Sequence, residues 1–68
     1  MSIATNLKYL YKDKTLTLQD IIQKFKSERT EKIVESKEDG YTTILAVFCD
    51  NSKLKITDID GTLYFSEI

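Results

Sequence analysis

Residues Tyr41–Cys49, Tyr-Thr-Thr-Ile-Leu-Ala-Val-Phe-Cys, place the tightest limit on the fold. This run is the longest apolar stretch of the chain, it is rich in β-formers, and turn signals bound it at both ends. Apolar side chains fall at odd and even positions alike, as in a strand with no fully wet face. The other elements are placed by pairing against it.

Asp39-Gly40 precedes the run, Asn51-Ser52 follows it, and Asp60-Gly61 lies one strand further on. The two Asp-Gly pairs are strong hairpin signals, because a type I′ turn needs positive φ at both central residues. Asn51-Ser52 is a weaker signal of the same kind. Taking each pair as the centre of a two-residue loop sets the register. Val34 then faces Leu45, Val47 faces Ile56, Cys49 faces Leu54, and Ile56 faces Phe65. With Leu63 and the edge of Tyr41, these residues line one side of a four-stranded antiparallel meander.

That side requires a cover, and one amphipathic helix supplies it. Thr17 is a good N-cap, with Asp20 three residues later in a variant of the capping box. Leu18, Ile21, Ile22 and Phe25 form an apolar stripe, which gives out near Glu28 and Arg29. The N-terminal segment Ser2–Tyr11 is of uncertain placement. Ile3, Leu7, Leu10 and Tyr11 share a helical face with Ser2 as N-cap, while Ile3, Leu7, Tyr9 and Tyr11 share one side of a strand. The helix is the reading preferred, and the fold class expected is α+β in one small domain, residues 1–68.

The same register sends Ile33, Ile44, Ala46, Phe48, Ile59 and Tyr64 to the opposite side of the sheet, among Glu35, Lys37, Thr42, Lys55, Thr57, Thr62 and Ser66. A face meant only for water would not cluster so many apolar side chains, and contiguous exposed patches mark contact surfaces. The expected partner-binding set is Ile44, Phe48, Ile59 and Tyr64 as anchors with Lys55 and Lys37 at the rim. The competing reading is that the N-terminal segment folds over this face and buries it with Ile3, Leu7 and Leu10. The meander also leaves open edges at Thr30–Glu38 and Thr62–Ile68. Glu35, Lys37 and Glu38 protect the first, whereas Leu63-Tyr64-Phe65 protects the second less.

Composition narrows the chemistry. A core drawn from 68 residues rarely yields more than ~3–5 kcal/mol of net stability, so a staple or a partner is often needed. Cys49 is the only cysteine and there is no histidine, so neither an internal disulfide nor a Cys/His zinc site is available. No cofactor or metal is expected, and no small-molecule ligand is evident. Gly40 and Gly61, the only glycines, are spent on turns rather than on a phosphate loop. No signal peptide or spanning segment is visible, so a soluble cytoplasmic protein with no membrane partner is expected. Through Val34 the chain is basic and beyond it acidic, which suits a solvated surface or charged partners.

Asp58-Ile-Asp60-Gly-Thr-Leu63, preceded by Leu54-Lys-Ile56, resembles the first motif of haloacid-dehalogenase-like phosphatases. By that resemblance Asp58 would be the nucleophile and Asp60 the general acid/base, both meeting a magnesium ion through an aspartyl-phosphate chemistry. The resemblance covers about six residues. That family's later motifs lie downstream, where only Tyr64 to Ile68 follow here, and its parallel sheet needs crossover helices. Asp-Gly-Thr is equally what a tight hairpin requires, and the hairpin is the reading adopted.

The expected function is therefore a small non-catalytic interaction module that self-associates or docks on a larger protein to regulate or inhibit it. The alternative is single-stranded nucleic-acid binding, with Phe48 and Tyr64 stacking on bases and Lys55, Lys24, Lys26 and Arg29 near phosphates. Against it, the helix lysines lie across the domain from Phe48.

Overall fold

The computed structural model of the chain describes residues 2–26 and 30–68. Two helices, α1 (Ile3–Tyr11) and α2 (Leu18–Lys26), precede four strands, β1 (Thr30–Glu38), β2 (Tyr41–Phe48), β3 (Lys53–Ile59) and β4 (Thr62–Glu67). The strands form an antiparallel meander in the order β1-β2-β3-β4, an α+β arrangement. The N-terminal segment is helical. Glu28 and Arg29, where the apolar stripe gives out, lie outside the described residues.

Local chemistry explains both helix starts. The Ser2 hydroxyl accepts from the Thr5 N–H, capping α1. At α2, Thr17 and Asp20 bond reciprocally: the Thr17 N–H donates to Asp20 Oδ2 and the Asp20 N–H to Thr17 Oγ1, both at 3.2 Å. Leu18, Ile21, Ile22 and Phe25 are all buried.

Two of the three turns keep the expected register. Asp60 (φ 52°) and Gly61 (φ 86°) are both left-handed, as a type I′ turn demands, and Ile56 faces Phe65. At Asp39-Gly40 only Gly40 (φ 84°) is left-handed, and Val34 faces Leu45.

The middle turn departs from expectation. Asn51-Ser52 is not the centre of a two-residue loop. The Phe48 N–H donates to the Ser52 carbonyl and the Asn51 N–H to the Phe48 carbonyl, both at 2.9 Å. Asn51 takes φ 69°. This is a three-residue loop, Cys49-Asp50-Asn51, in which a tight turn ends on one left-handed residue. The Asp50 carboxylate reinforces it by accepting from the Ser52 N–H at 3.0 Å.

The consequence reaches across the sheet. Ile44, not Val47, faces Ile56, and Ala46, not Cys49, faces Leu54. The pairing slips by three residues, and an odd slip turns every side chain of a strand to the other face. The first hairpin is therefore inverted relative to the expected arrangement. Ile44, Ala46 and Phe48 join Leu54 and Ile56 in the core, with Ile33, Leu63 and Phe65 packed against it. Val34, Leu45, Val47 and Tyr41 stand on the opposite side. Cys49, expected in the core, is exposed in the loop.

Ala4 and Leu7 of α1 and the α2 stripe belong to the same buried cluster as Ile44, Phe48, Leu54 and Ile56. At its centre the Phe25 and Phe48 rings meet edge to face, centroids 5.6 Å apart, and Tyr11 tilts against Phe25 at 6.0 Å. Such edge-to-face pairs contribute about 0.5–1.5 kcal/mol beyond the area they bury. Side chains of α1 also reach β4, where Lys8 pairs with Glu67 at 3.7 Å and the Thr5 hydroxyl donates to the same carboxylate.

Candidate protein-binding face

The sheet has one face toward the helices and one that none of the described residues covers. Strand register sets out the open face in cross-strand rows. Glu38, Tyr41, Ile59 and Thr62 stand abreast at one end. Next come Ser36, Thr43, Thr57 and Tyr64, then Val34, Leu45, Lys55 and Ser66. Lys32, Val47 and Lys53 close the far end.

Among the described residues, the exposed large hydrophobics are Tyr9, Leu10, Val34, Tyr41, Ile59, Tyr64 and Ile68. Four of them, Val34 (41%), Tyr41 (42%), Ile59 (42%) and Tyr64 (56%), lie on this face, with Leu45 and Val47 half-buried between them. Threonine and serine fill the intervening positions, so the apolar side chains of this face are interleaved with hydroxyls.

Charge is sorted along the strands. Lys32, Lys53 and Lys55 stand at the end where β2 finishes and β3 begins. Glu38 stands at the other, flanked by Asp39 and Asp60 in the two turns. Among the described residues no buried side chain is polar or charged, and no three His, Cys, Asp or Glu side chains gather to hold a metal.

Of the residues expected to form the site, Ile59, Tyr64 and Lys55 are on the open face. Ile44 and Phe48 are 1% and 0% exposed beneath the helices. Lys37 is exposed but opposite Thr42, on the helix side of the sheet. The physical reason is the same odd slip at the middle turn. It exchanges Ile44 and Phe48 for Leu45 and Val47, and brings Val34 and Tyr41 with them. A signal for this was present in Asp50-Asn51-Ser52, since asparagine tolerates the left-handed region that ends a three-residue loop and Asp50 bonds two residues ahead.

The phosphatase-like motif sits in the β3–β4 hairpin. Asp58 Oδ1 accepts from the Gly61 N–H at 2.9 Å, so this carboxylate serves the turn, in which Asp60 takes the left-handed conformation. The strands on either side are antiparallel.

Among the described residues no helix is long and apolar enough to cross a membrane. No protein-family model, curated protein or solved structure matches the chain.

Proposed function

We propose that the chain is a non-catalytic protein-interaction module whose binding surface is the open face of the sheet. The observation that carries this reading is the asymmetry of the two faces. Two helices lie over one, while the other presents Val34, Tyr41, Ile59 and Tyr64 to solvent. Aromatic anchors set among small polar groups suit a surface that is desolvated by a partner and soluble without one.

The module acts by docking, regulating or blocking the protein it covers, rather than by turning over a substrate. The face is favoured over the β1 edge, because β1 carries Glu31, Lys32, Glu35, Lys37 and Glu38 along its length, and charge on an edge strand opposes strand addition. An exposed free thiol at Cys49 suits a reducing compartment such as the cytoplasm.

A photo-crosslinking residue at Tyr64 tests the face, with one at exposed Gln23 on α2 as control. In the producing cell, Tyr64 is expected to yield a discrete protein adduct and Gln23 none. Equal labelling from both positions, or labelling from Gln23 alone, would overturn the reading.

A second reading has a specific observation in its favour. Tyr64 and Tyr41 share the open face with Lys32, Lys53 and Lys55, a combination of stacking rings and cations that suits single-stranded nucleic acid. Phe48 takes no part in it, being buried. The acidic end of the face, with Glu38 flanked by Asp39 and Asp60, weighs against it.

A further inference from the structure

Resting on the reading of the open face as a binding surface, we infer that its partner is a second copy of this chain. The two sheets stack face to face about a two-fold axis that crosses the strands. The face is complementary to itself. A face that is basic at one end and acidic at the other meets its own copy in two simple ways. With the axis along the strands, lysine end lies over lysine end. With the axis across them, the strands run in opposite directions and each basic end lies over an acidic one.

Register supplies the matches. The residues midway between the end rows are Glu35, Ile44, Ile56 and Phe65, which stand abreast in one cross-strand row. An axis over that row brings Lys32 of one copy to Glu38 of the other. It brings Val47 onto Tyr41, and Lys53 onto Ile59 beside Asp60. Near the axis, Leu45 meets Thr43 and Lys55 meets Thr57. Every charge on the face then lies near its opposite or beside a hydroxyl, and each half-buried aliphatic gains a cover.

Stacked sheets cross at about 30°, which moves the corner residues sideways by about one strand spacing. Lysine and glutamate side chains span that distance.

Size sets the strength. Four strands about 4.8 Å apart and about seven residues long make a face of roughly 19 × 23 Å. Two copies together then bury about 900 Å², below the range of stable specific interfaces and within that of weak, transient ones. The dimer is therefore weak, with a dissociation constant in the micromolar range or above, and it weakens further with salt.

Sedimentation equilibrium from about 10 µM to 1 mM, with charge exchange, tests this. Lys32→Glu alone and Glu38→Lys alone should each weaken the dimer about tenfold, since each turns two attractive pairs repulsive. Lys32→Glu combined with Glu38→Lys should restore it. Lys32 and Glu38 lie about 20 Å apart along one strand, so they do not compensate within a monomer. Rescue by the double exchange therefore reports contact between copies.

A dimer unmoved by either exchange would overturn the two-fold arrangement. A strict monomer at 1 mM would overturn self-association. If Tyr64 then crosslinks a different protein, the binding face stands without it, and if Tyr64 captures nothing, both fall. Salt-sensitive binding of a labelled single-stranded oligonucleotide by a monomer, lost in Lys32→Glu, would also overturn the inference and assign the lysines to phosphates.

Discussion

The backbone N–H of Ile3 donates to Asp50 Oδ2 at 2.9 Å, so the loop between β2 and β3 caps a helix that begins 47 residues earlier. Ser52 adds a second bond, its hydroxyl accepting from the Ala4 N–H at 3.1 Å. With the Ser2 cap on Thr5, three of the unpaired donors at the start of α1 are satisfied. The odd slip of register and the docking of α1 are thus served by one short turn, the three-residue loop and the Ser52 that closes it.

Asp50 makes this cap sensitive to acid. Its pKa is lowered to about 2, first by the Ser52 hydroxyl and then by the Ile3 and Ser52 N–H groups, all of which favour the carboxylate. A group whose folded pKa lies below its unfolded value stabilises the fold above the unfolded value, here 3.8. That contribution is lost as pH falls through the folded value. Asp50→Ala is expected to lower the melting temperature by a few degrees at pH 7. The gap to the parent protein should narrow as pH drops from about 4 to about 2. Thermal denaturation at the two pH extremes measures it, and a gap of equal size at both would count against the carboxylate as the cap.

Neighbouring residues of β2 should respond oppositely to the same change. Ile44→Asp puts an unpaired carboxylate into the core, a cost of several kcal/mol against a total stability of about 3–10 kcal/mol for a chain of this size. It is expected to unfold the protein. Leu45→Asp, one residue on and half-buried on the open face opposite Lys55, should cost only about 1–2 kcal/mol and leave the fold intact. Far-UV circular dichroism and urea denaturation distinguish the two, and the reverse pattern would restore the register with Val47 opposite Ile56.

Cys49 offers a check without mutation. Being exposed, its thiol should react with a disulfide reagent in the native protein at nearly the rate seen in denaturant. A core cysteine would be protected by the opening equilibrium. Protection of a hundredfold or more would put Cys49 back inside.

The β3–β4 turn should behave as a structural device. Asp58→Ala removes the acceptor of the Gly61 N–H and is expected to cost about 0.5–1.5 kcal/mol. Magnesium should change the melting temperature of neither parent nor variant. Gly61→Ala introduces a Cβ that meets nothing within 4 Å. Its cost, about 1–2 kcal/mol, is therefore backbone strain at φ 86° alone. A magnesium-dependent rise in melting temperature that Asp58→Ala abolishes would reopen the carboxylate pair as a cation site.

Local chemistry in the sequence by itself determined the elements: the helix starts at Ser2 and Thr17, the stripe Leu18, Ile21, Ile22 and Phe25, four strands in meander order, and the outer two hairpin registers. Each depends on contacts within a few residues, where capping groups and Asp-Gly pairs act directly. Apolar patterning left open which side of β2 faces inward, because Ile44, Ala46 and Phe48 are no more apolar as a set than Leu45 and Val47, and Asp50-Asn51-Ser52 carried only a weak hint of the loop that decides it. Tertiary structure decided it. The turn between β2 and β3, whose Asp50 and the adjoining Ser52 cap α1, together with an edge-to-face contact between Phe48 and Phe25, selects one phase of the strand over the other. Those partners lie up to 48 residues apart in the chain, beyond the reach of any local pattern. Of the surface expected to bind, only Ile59, Tyr64 and Lys55 were therefore visible before the fold was closed.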